Sequence, residues 1–142
     1  MDSGDNGIVQ YRLERAEETY LEALLLAANM KWKGSLNRLY YACFYAVIAL
    51  LAKFNIQAHT HNGAKTQFHK AFIANGLFSK ESGLIFNRLF SARQFGDYDD
   101  FYEIDAEYIN KYIPLVRVFI DEVKDLIEGQ DPDFISNHKK SS

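Results

Sequence analysis

The chain has 142 residues, a formal net charge of −3, one cysteine and two prolines. This length suits one domain with a single core, and the acidic balance disfavours a broad basic surface for duplex nucleic acid while leaving room for a local basic cleft. The lone Cys43 excludes an internal disulfide, which fits a reducing cytoplasm.

Two features argue against export or membrane insertion. The N-terminal stretch "MDSGDNGIVQ" is acidic and carries no apolar segment of a secretory signal. The longest uncharged run is Leu39–Ala52, which is shorter than the roughly 20 residues that a membrane span requires. We therefore expect a soluble, cytoplasmic protein without membrane contact.

The first two predicted helices differ in how much of their surface is apolar. Apolar residues recur every three or four positions from about Val9 to Asn29, with charged residues opposite, which is typical of an amphipathic helix. After "MKWKG" a second helix is predicted to run to about Phe54. It is apolar nearly all round, so we interpret it as the central helix of the fold.

Three further helices follow. A short helix is predicted from about Gly63 to Ala74, and Asn75-Gly76 offers the left-handed residue that commonly ends a helix. Ser79 is placed to cap a fourth helix. Asp105 is placed to cap the last helix, which reaches about Glu128 and should bend at Pro114.

These elements predict an all-α fold, an antiparallel up-and-down bundle of four long helices and one short helix. The bundle is expected to occupy residues 9–129. Residues 1–8 and 130–142 lack helical periodicity and are expected to be flexible.

Arginines near the aromatic stretch "NRLYYACFYAV" are the first candidates for chemistry. The rings themselves are what a helical core needs. Arg38 borders the uncharged run, so its guanidinium must pair or reach the surface, and Asp97 or another acidic group of "SARQFGDYDDFYEID" could be its partner.

Three motifs in order resemble one family. The stretches "SLNRLYYACFYAV", "AHTHNGAK" and "FSARQFGDYDDF" contain R-x-Y-Y-A-x-F, T-H-x-G and R-x-x-x-D-Y patterns. Together they resemble the HEPN family of small helical-bundle proteins, over about Ala16–Ile127. The matching positions are Arg38, Tyr40, Tyr41, Ala42 and Phe44; Thr60, His61 and Gly63; and Arg93, Asp97 and Tyr98.

This resemblance implies a homodimer whose fourth helices meet near a cleft. Many HEPN proteins are ribonucleases and toxins that are paired with a small MNT-type nucleotidyltransferase as antitoxin. A related HEPN domain ends the chaperone-like protein sacsin, where it resembles a nucleotide-binding dimer module. The implied partners are therefore a second copy, an MNT-type nucleotidyltransferase, and a nucleotide or RNA.

The chain departs from the ribonuclease members at one point. Those members carry a histidine after an arginine and four to six intervening residues, whereas Arg93 is followed there by Tyr98, Asp99 and Asp100. RNA cleavage without metal needs a group that titrates near neutrality and a cation for the charged phosphate. Arg93 could supply the cation, but tyrosine, with a usual pKa of about 10, is a poor base. Whether the protein is an enzyme therefore stays open.

The segment around Arg93 supports two interpretations. Arg93 and Asp97 are four residues apart and could form a weak helical ion pair with no further role. Alternatively, Arg93, Asp97 and Tyr98 form the catalytic set, and Arg38, Tyr41, His61 and Arg93 bind the ligand. In that case two Arg93 side chains, one from each protomer, bind a phosphate, while Tyr98 stacks on a base or is modified by the nucleotidyltransferase.

Three functions thus compete at this stage: nucleotide or RNA binding, a diverged ribonuclease toxin, and a non-catalytic interaction module. A metal site is not expected, because His59 and His61 lie on a loop without a carboxylate or cysteine at ligand spacing. No cofactor is expected either. His61 is expected to satisfy backbone groups at the start of the short helix.

Overall fold

A computed structural model describes residues 6–98 and 104–129, with only the backbone described for residues 95–98. Within these ranges the chain forms five α-helices and no strand: α1 (Asn6–Ala28), α2 (Trp32–Lys53), α3 (His61–Phe68), α4 (Lys80–Tyr98) and α5 (Ala106–Gly129). A π-helical turn, His69–Ile73, continues α3. The predicted all-α bundle of four long helices and one short helix is confirmed. The expectations for residues 1–5 and 130–142 lie outside the described residues.

Side-chain pairs fix the antiparallel arrangement. Ser35 of α2 donates to the carbonyl of Ala23 at 2.9 Å, and further along Arg12 donates to the carbonyl of Ile48 at 3.1 Å. The contacts move from Ala23 to Arg12 on α1 while they move from Ser35 to Ile48 on α2, so the two helices are antiparallel. Tyr20 donates to the carbonyl of Ile113, and Glu17, one turn earlier on α1, pairs with Arg117 further along α5, so these two helices are also antiparallel. Helix α5 packs against both α1 and α2.

Helix α2 is the centre of the bundle, as its apolar circumference predicts. It contacts α1, α3, α4 and α5. With 22 residues, it is also the one helix in the described ranges that is long and apolar enough to cross a membrane. It is longer than the uncharged run Leu39–Ala52 because the helix extends beyond that run at both ends. However, 61% of its most apolar 18-residue window is buried inside the bundle, which is how the core helix of a soluble domain behaves.

Local signals set most helix ends. Gly76 has a φ of +75°, and Ser79 and Asp105 accept hydrogen bonds from the amides of Ser82 (3.2 Å) and Tyr108 (2.9 Å), as predicted. Pro114 lies inside α5, which continues through it, and a bend there stays a prediction.

Helices α1 to α3 begin earlier than predicted. Helix α1 includes residues 6–8, and α2 begins at Trp32, directly after the turn at Met30, whose φ is +59°. Helix α3 begins at His61 because Thr60, not His61, is its cap: the Thr60 hydroxyl accepts from the Gly63 amide at 2.8 Å.

The π-helical turn packs closely on α4. A Cβ atom at Gly83 of α4 would lie 2.9 Å from Ile73 Cδ1 and 3.3 Å from His69 Cε1, so glycine permits this approach. His69 Nε2 also lies 2.9 Å from Asn87 Oδ1, within hydrogen-bond distance. These contacts secure the end of the short helix against the helix that carries Arg93.

A carboxylate of α5 holds the start of α4. Glu122 accepts hydrogen bonds from the Ser79 amide (2.8 Å), the Ser79 hydroxyl (3.1 Å) and the Ser82 hydroxyl (2.8 Å). A negative charge at the amino end of a helix is favourable because the unpaired amides there carry partial positive charge. The start of α4 is thus anchored to α5.

A second ionic network joins α1 to α5. The Glu17 carboxylate accepts from the two terminal guanidinium nitrogens of Arg117, Nη1 at 2.7 Å and Nη2 at 2.6 Å, and from Lys124. Arg117 also donates to Asp121 at 2.8 Å. The Arg117 hydrogen bonds, assisted by Lys124, lower the pKa of Glu17 from 4.5 to about 2 although partial burial opposes this shift.

We expect Glu17→Gln to lower the free energy of unfolding by about 1–2 kcal/mol at neutral pH, a value discounted because the side chain is partly exposed. Since the folded pKa lies below the unfolded one, the contribution is present above pH 4.5 and is lost as the pH falls toward 2. Urea unfolding of both proteins from neutral pH to about pH 3 measures this. A gap between the two proteins that stays constant across this range would contradict the assignment.

Candidate functional site

Two consecutive tyrosines of α2 form the base of the candidate site. Tyr40 is fully buried, whereas Tyr41 is half-buried, and their rings meet edge to face at 5.1 Å. The Tyr40 ring also stacks parallel to Phe86 of α4 at 5.9 Å. The core therefore supports these rings from below, and burial raises the pKa of Tyr40 above its usual value.

Arg93 of α4 lies over both tyrosines. Its guanidinium carbon is 5.3 Å from the Tyr40 ring centroid and 5.0 Å from the Tyr41 ring centroid, within cation–π range. The side chain is half-buried. The rings thus hold a partly desolvated cation at one place, where electrostatic attraction for an anion is stronger than in bulk water.

His61, the first residue of α3, completes this group. Its Nδ1 lies 2.8 Å from the Tyr40 hydroxyl, and its ring stacks on Phe44 at 4.1 Å. Burial, and then the charge of Arg93, lower the pKa of His61, which favours the neutral imidazole. We call Tyr40, Tyr41, His61 and Arg93 the Arg93 cluster.

The hydrogen bond to Tyr40 also bears on the tautomer of His61. Tyr40 stays protonated because its pKa is raised, and an O–H that donates to Nδ1 leaves the imidazole proton on Nε2. That nitrogen is then a second donor beside the guanidinium. In the other tautomer Nδ1–H donates to the tyrosine oxygen and Nε2 is a base.

Lys65 adds a second cation that the sequence analysis missed. It lies one turn after His61 on α3, and its Nζ is 4.8 Å from the Phe90 ring centroid. Phe90 in turn contacts the Tyr40 ring edge to face at 5.9 Å. The four-residue spacing from His61 was the available signal, since it places both side chains on one face of α3.

Of the predicted ligand-binding residues, the structure brings Tyr41, His61 and Arg93 together. Arg38 lies one turn before Tyr41, but its guanidinium donates to Glu22 of α1 at 3.0 Å and to Asn37 at 2.8 Å. The prediction that Arg38 pairs with Asp97 or another acidic residue of the segment around Arg93 was therefore wrong. Helix α1 packs against this face of α2 and supplies Glu22 as the partner. The side chains of Asp97 and Tyr98 lie outside the described residues.

The prediction that His61 satisfies backbone groups at the start of α3 was also wrong. Its Nδ1 is hydrogen-bonded to the Tyr40 hydroxyl, and Thr60 caps the helix. The other histidines have separate environments. His59 is exposed, and His69 bonds Asn87. In the described ranges no three histidine, cysteine or carboxylate side chains are grouped to hold a metal ion. Cys43 is fully buried, which raises its pKa and suits a packing role.

Comparison with known proteins places this arrangement in a family. A model of the HEPN domain matches residues 9–126, nearly the whole bundle. The chain belongs to the HEPN domain family. The motifs that carry the likeness lie on three different helices, and the fold brings Tyr40 and Tyr41 of the first, His61 of the second and Arg93 of the third to one place.

Named relatives of this HEPN protein fall into two groups. A "UPF0332 protein" of Thermotoga maritima is 36% identical over 121 residues, which cover 85% of this chain and 92% of that protein. Methanocaldococcus jannaschii has two relatives that bear the names "Putative toxin MJ0605" and "Putative toxin MJ0142". They are 30% and 29% identical, over 82% and 79% of this chain and 86% and 76% of their own lengths.

A titration tests the geometry of the Arg93 cluster. Replacing Arg93 with glutamine is expected to raise the pKa of His61, because the positive charge that disfavours the imidazolium is removed, while burial keeps it below its usual value. NMR signals of the ring protons measure the change. Arg88→Gln, an exposed arginine on the same helix, is the control. Equal His61 pKa values in the two variants would contradict the proximity of Arg93.

Proposed function

We propose that this HEPN protein binds a nucleotide or RNA at the Arg93 cluster. The observation that carries the proposal is the half-buried Arg93 guanidinium over Tyr40 and Tyr41, beside the imidazole of His61. Arginine suits phosphate because its planar fork donates two parallel hydrogen bonds. The rings and Lys65 extend the surface available to a base and a second phosphate.

The assembly in which this site works is also proposed. We infer that the protein is a cytoplasmic homodimer in which Arg93 of each protomer faces one cleft, and that it acts with an MNT-type nucleotidyltransferase in a toxin–antitoxin-like pair. The toxin names of two relatives and membership of the HEPN family support this class. Within the pair, Arg93, Asp97 and Tyr98 are the proposed catalytic set, and Arg38, Tyr41, His61 and Arg93 the proposed ligand contacts.

Binding is tested by calorimetric titration of the purified protein with ATP and with a short single-stranded RNA. We expect saturable binding that Arg93→Ala weakens at least tenfold, since a charged hydrogen bond contributes about 1.5–3 kcal/mol. Arg88→Ala, on the exposed side of the same helix, is the matched control and should bind as wild type does. Wild-type affinity in Arg93→Ala, or no binding of either ligand to wild type, would refute the proposal.

Light scattering tests the dimer, and coexpression tests the pair. A dimer at micromolar concentration is expected, as is copurification with an MNT-type nucleotidyltransferase encoded beside this protein. A monomer would remove the shared cleft from the proposal.

One observation favours a second function, ribonuclease activity. The chain lacks the histidine after Arg93, but the fold places His61 of α3 close enough for Arg93 to lower its pKa. In the tautomer with Nδ1–H donating to Tyr40, the bare Nε2 could accept the proton of a ribose 2′-hydroxyl. That oxygen would attack the adjacent phosphorus and expel the 5′-oxygen, which takes a proton from water, leaving a 2′,3′-cyclic phosphate, while Arg93 stabilises the added charge.

An RNA cleavage assay separates this function from simple binding. Cleavage that His61→Ala abolishes while RNA binding persists would support the ribonuclease. His59→Ala, an exposed histidine two residues earlier, is the matched control. Cleavage that survives His61→Ala, or none by wild type, would refute it.

A further inference from the structure

A polar pocket between α1 and α2 adjoins the Arg93 cluster. Its volume is about 340 Å³, and it is lined by Arg15, Thr19, Glu22, Asn37, Arg38, Tyr41 and Tyr45. Tyr41 belongs to both places: it lines the pocket, and it also contacts the Arg93 guanidinium. A ligand held by Arg93 can therefore continue across Tyr41 into this pocket.

The charges of the pocket are largely paired with one another. Glu22 is paired at 3.0 Å with Arg38, which also lines the pocket, so this carboxylate and this guanidinium offset each other. Arg15 is likewise paired, with Glu18. The lining thus offers both donors and acceptors, with little excess of positive charge. A neutral group with its own donors and acceptors fits this chemistry better than a phosphate does.

The rings of the pocket supply stacking surfaces. Tyr41 and Tyr45 lie 6.2 Å apart, and the Arg15 guanidinium lies over the Tyr45 ring at 5.0 Å. Tyrosine rings and arginine planes are the surfaces on which unpaired bases stack. Asn37 is half-buried on the same helix, one turn before Tyr41. Its amide oxygen accepts from Arg38 at 2.8 Å, and its amide nitrogen offers a donor to the edge of a base.

Thr19 is a buried polar residue of the pocket lining. The residue is 2% exposed, and its hydroxyl has no hydrogen-bond partner within the described part of the chain. Nearly all buried polar groups in folded proteins have a partner. The hydroxyl is itself covered, so a ligand with a polar edge would reach it only by shifting the side chains around it.

We propose that the α1–α2 pocket is a nucleobase subsite: it takes the base of a nucleotide whose phosphate is bound at Arg93. This inference rests on the proposed nucleotide-binding function and deepens it. It assigns binding roles to Tyr45 and Asn37, and it orients the ligand, since the phosphate lies at Arg93 and the base lies beyond Tyr41 in the pocket.

The test compares AMP with ribose 5-phosphate, which has the same phosphate and sugar but no base. Wild type is expected to bind AMP at least about fivefold more tightly, because stacking of one base contributes about 1–3 kcal/mol. Tyr45→Ala and Asn37→Ala should each reduce that preference and leave the affinity for ribose 5-phosphate unchanged. Tyr11→Ala, a 60% exposed tyrosine on α1 outside the pocket, is the matched control.

The possible results separate the two proposals. Equal affinity for the two ligands, with both lost in Arg93→Ala, would overturn the base subsite and leave the phosphate site standing. If Tyr45→Ala and Asn37→Ala both retained the preference for AMP, the base would not bind in this pocket, and the proposed location of the subsite would be overturned. Failure of both ligands to bind wild type would overturn the nucleotide-binding function and the subsite together.

Discussion

Replacing Phe86 with alanine is expected to lower the free energy of unfolding by about 3–5 kcal/mol. The ring is fully buried and contacts Phe68 at 5.8 Å, Phe119 at 5.9 Å and Tyr40 at 5.9 Å. Its removal leaves a cavity where α2, α3, α4 and α5 meet. Because domains of this size are stable by only about 5–15 kcal/mol, urea unfolding followed by circular dichroism should show a large loss.

Phe54→Ala is the matched control for Phe86→Ala. Phe54 follows the last turn of α2 and is half-buried, with a recorded ring contact to Phe72 at 5.6 Å. Phe54→Ala should therefore lower the free energy of unfolding clearly less than Phe86→Ala does. Equal losses at the two positions would contradict the placement of the core around Phe86.

Phe86 also connects stability to the candidate site. Its ring lies parallel to Tyr40, with an interplanar angle of 1°, and Tyr40 supports the Arg93 guanidinium. A milder change, Phe86→Leu, should therefore keep the fold but weaken ligand binding at Arg93. The site owes its geometry to the core beneath it.

Sequence patterns were sufficient where both partners of an interaction are close along the chain. The caps at Ser79 and Asp105 and the turn at Gly76 involve groups within about three residues, so one short segment contains the whole interaction. The apolar circumference of α2 likewise predicted its central place. The π-helical turn after Phe68 was not predicted; it packs against Gly83 of α4, and a contact between two separate helices leaves no signal in one short segment.

Interactions between helices could not be read from the sequence in the same way. The partners Arg38 and Glu22 are 16 residues apart, and Tyr40 and His61 are 21 apart. Periodicity predicts which face of a helix is buried, but it does not fix how one helix is aligned along another. The residues of the R-x-Y-Y-A-x-F and T-H-x-G motifs were therefore predicted as candidates, whereas their contacts needed the structure.

The anchoring of α4 by Glu122 gives the second large effect. Glu122→Ala is expected to lower the free energy of unfolding by about 2–3 kcal/mol, because the Ser79 amide and the Ser82 hydroxyl lose a charged acceptor. Ser82 is 3% exposed, so water does not readily replace that acceptor. Urea unfolding measures the loss, and Asp125→Ala, an exposed carboxylate one turn along α5, is the control and should change stability little.

A double-mutant cycle separates the lost hydrogen bond from other effects of truncation. Ser82→Ala removes the donor itself, so it should cost less than Glu122→Ala, which leaves that donor buried and unpaired. Once Ser82 is alanine, removing Glu122 should also cost less than in wild type. Strict additivity of the two changes would show that the pair is not coupled. Coupling would mean that Glu122 of α5 fixes the start of α4, the helix that carries Arg93 in a later turn. Glu122→Ala should then also weaken ligand binding at the Arg93 cluster.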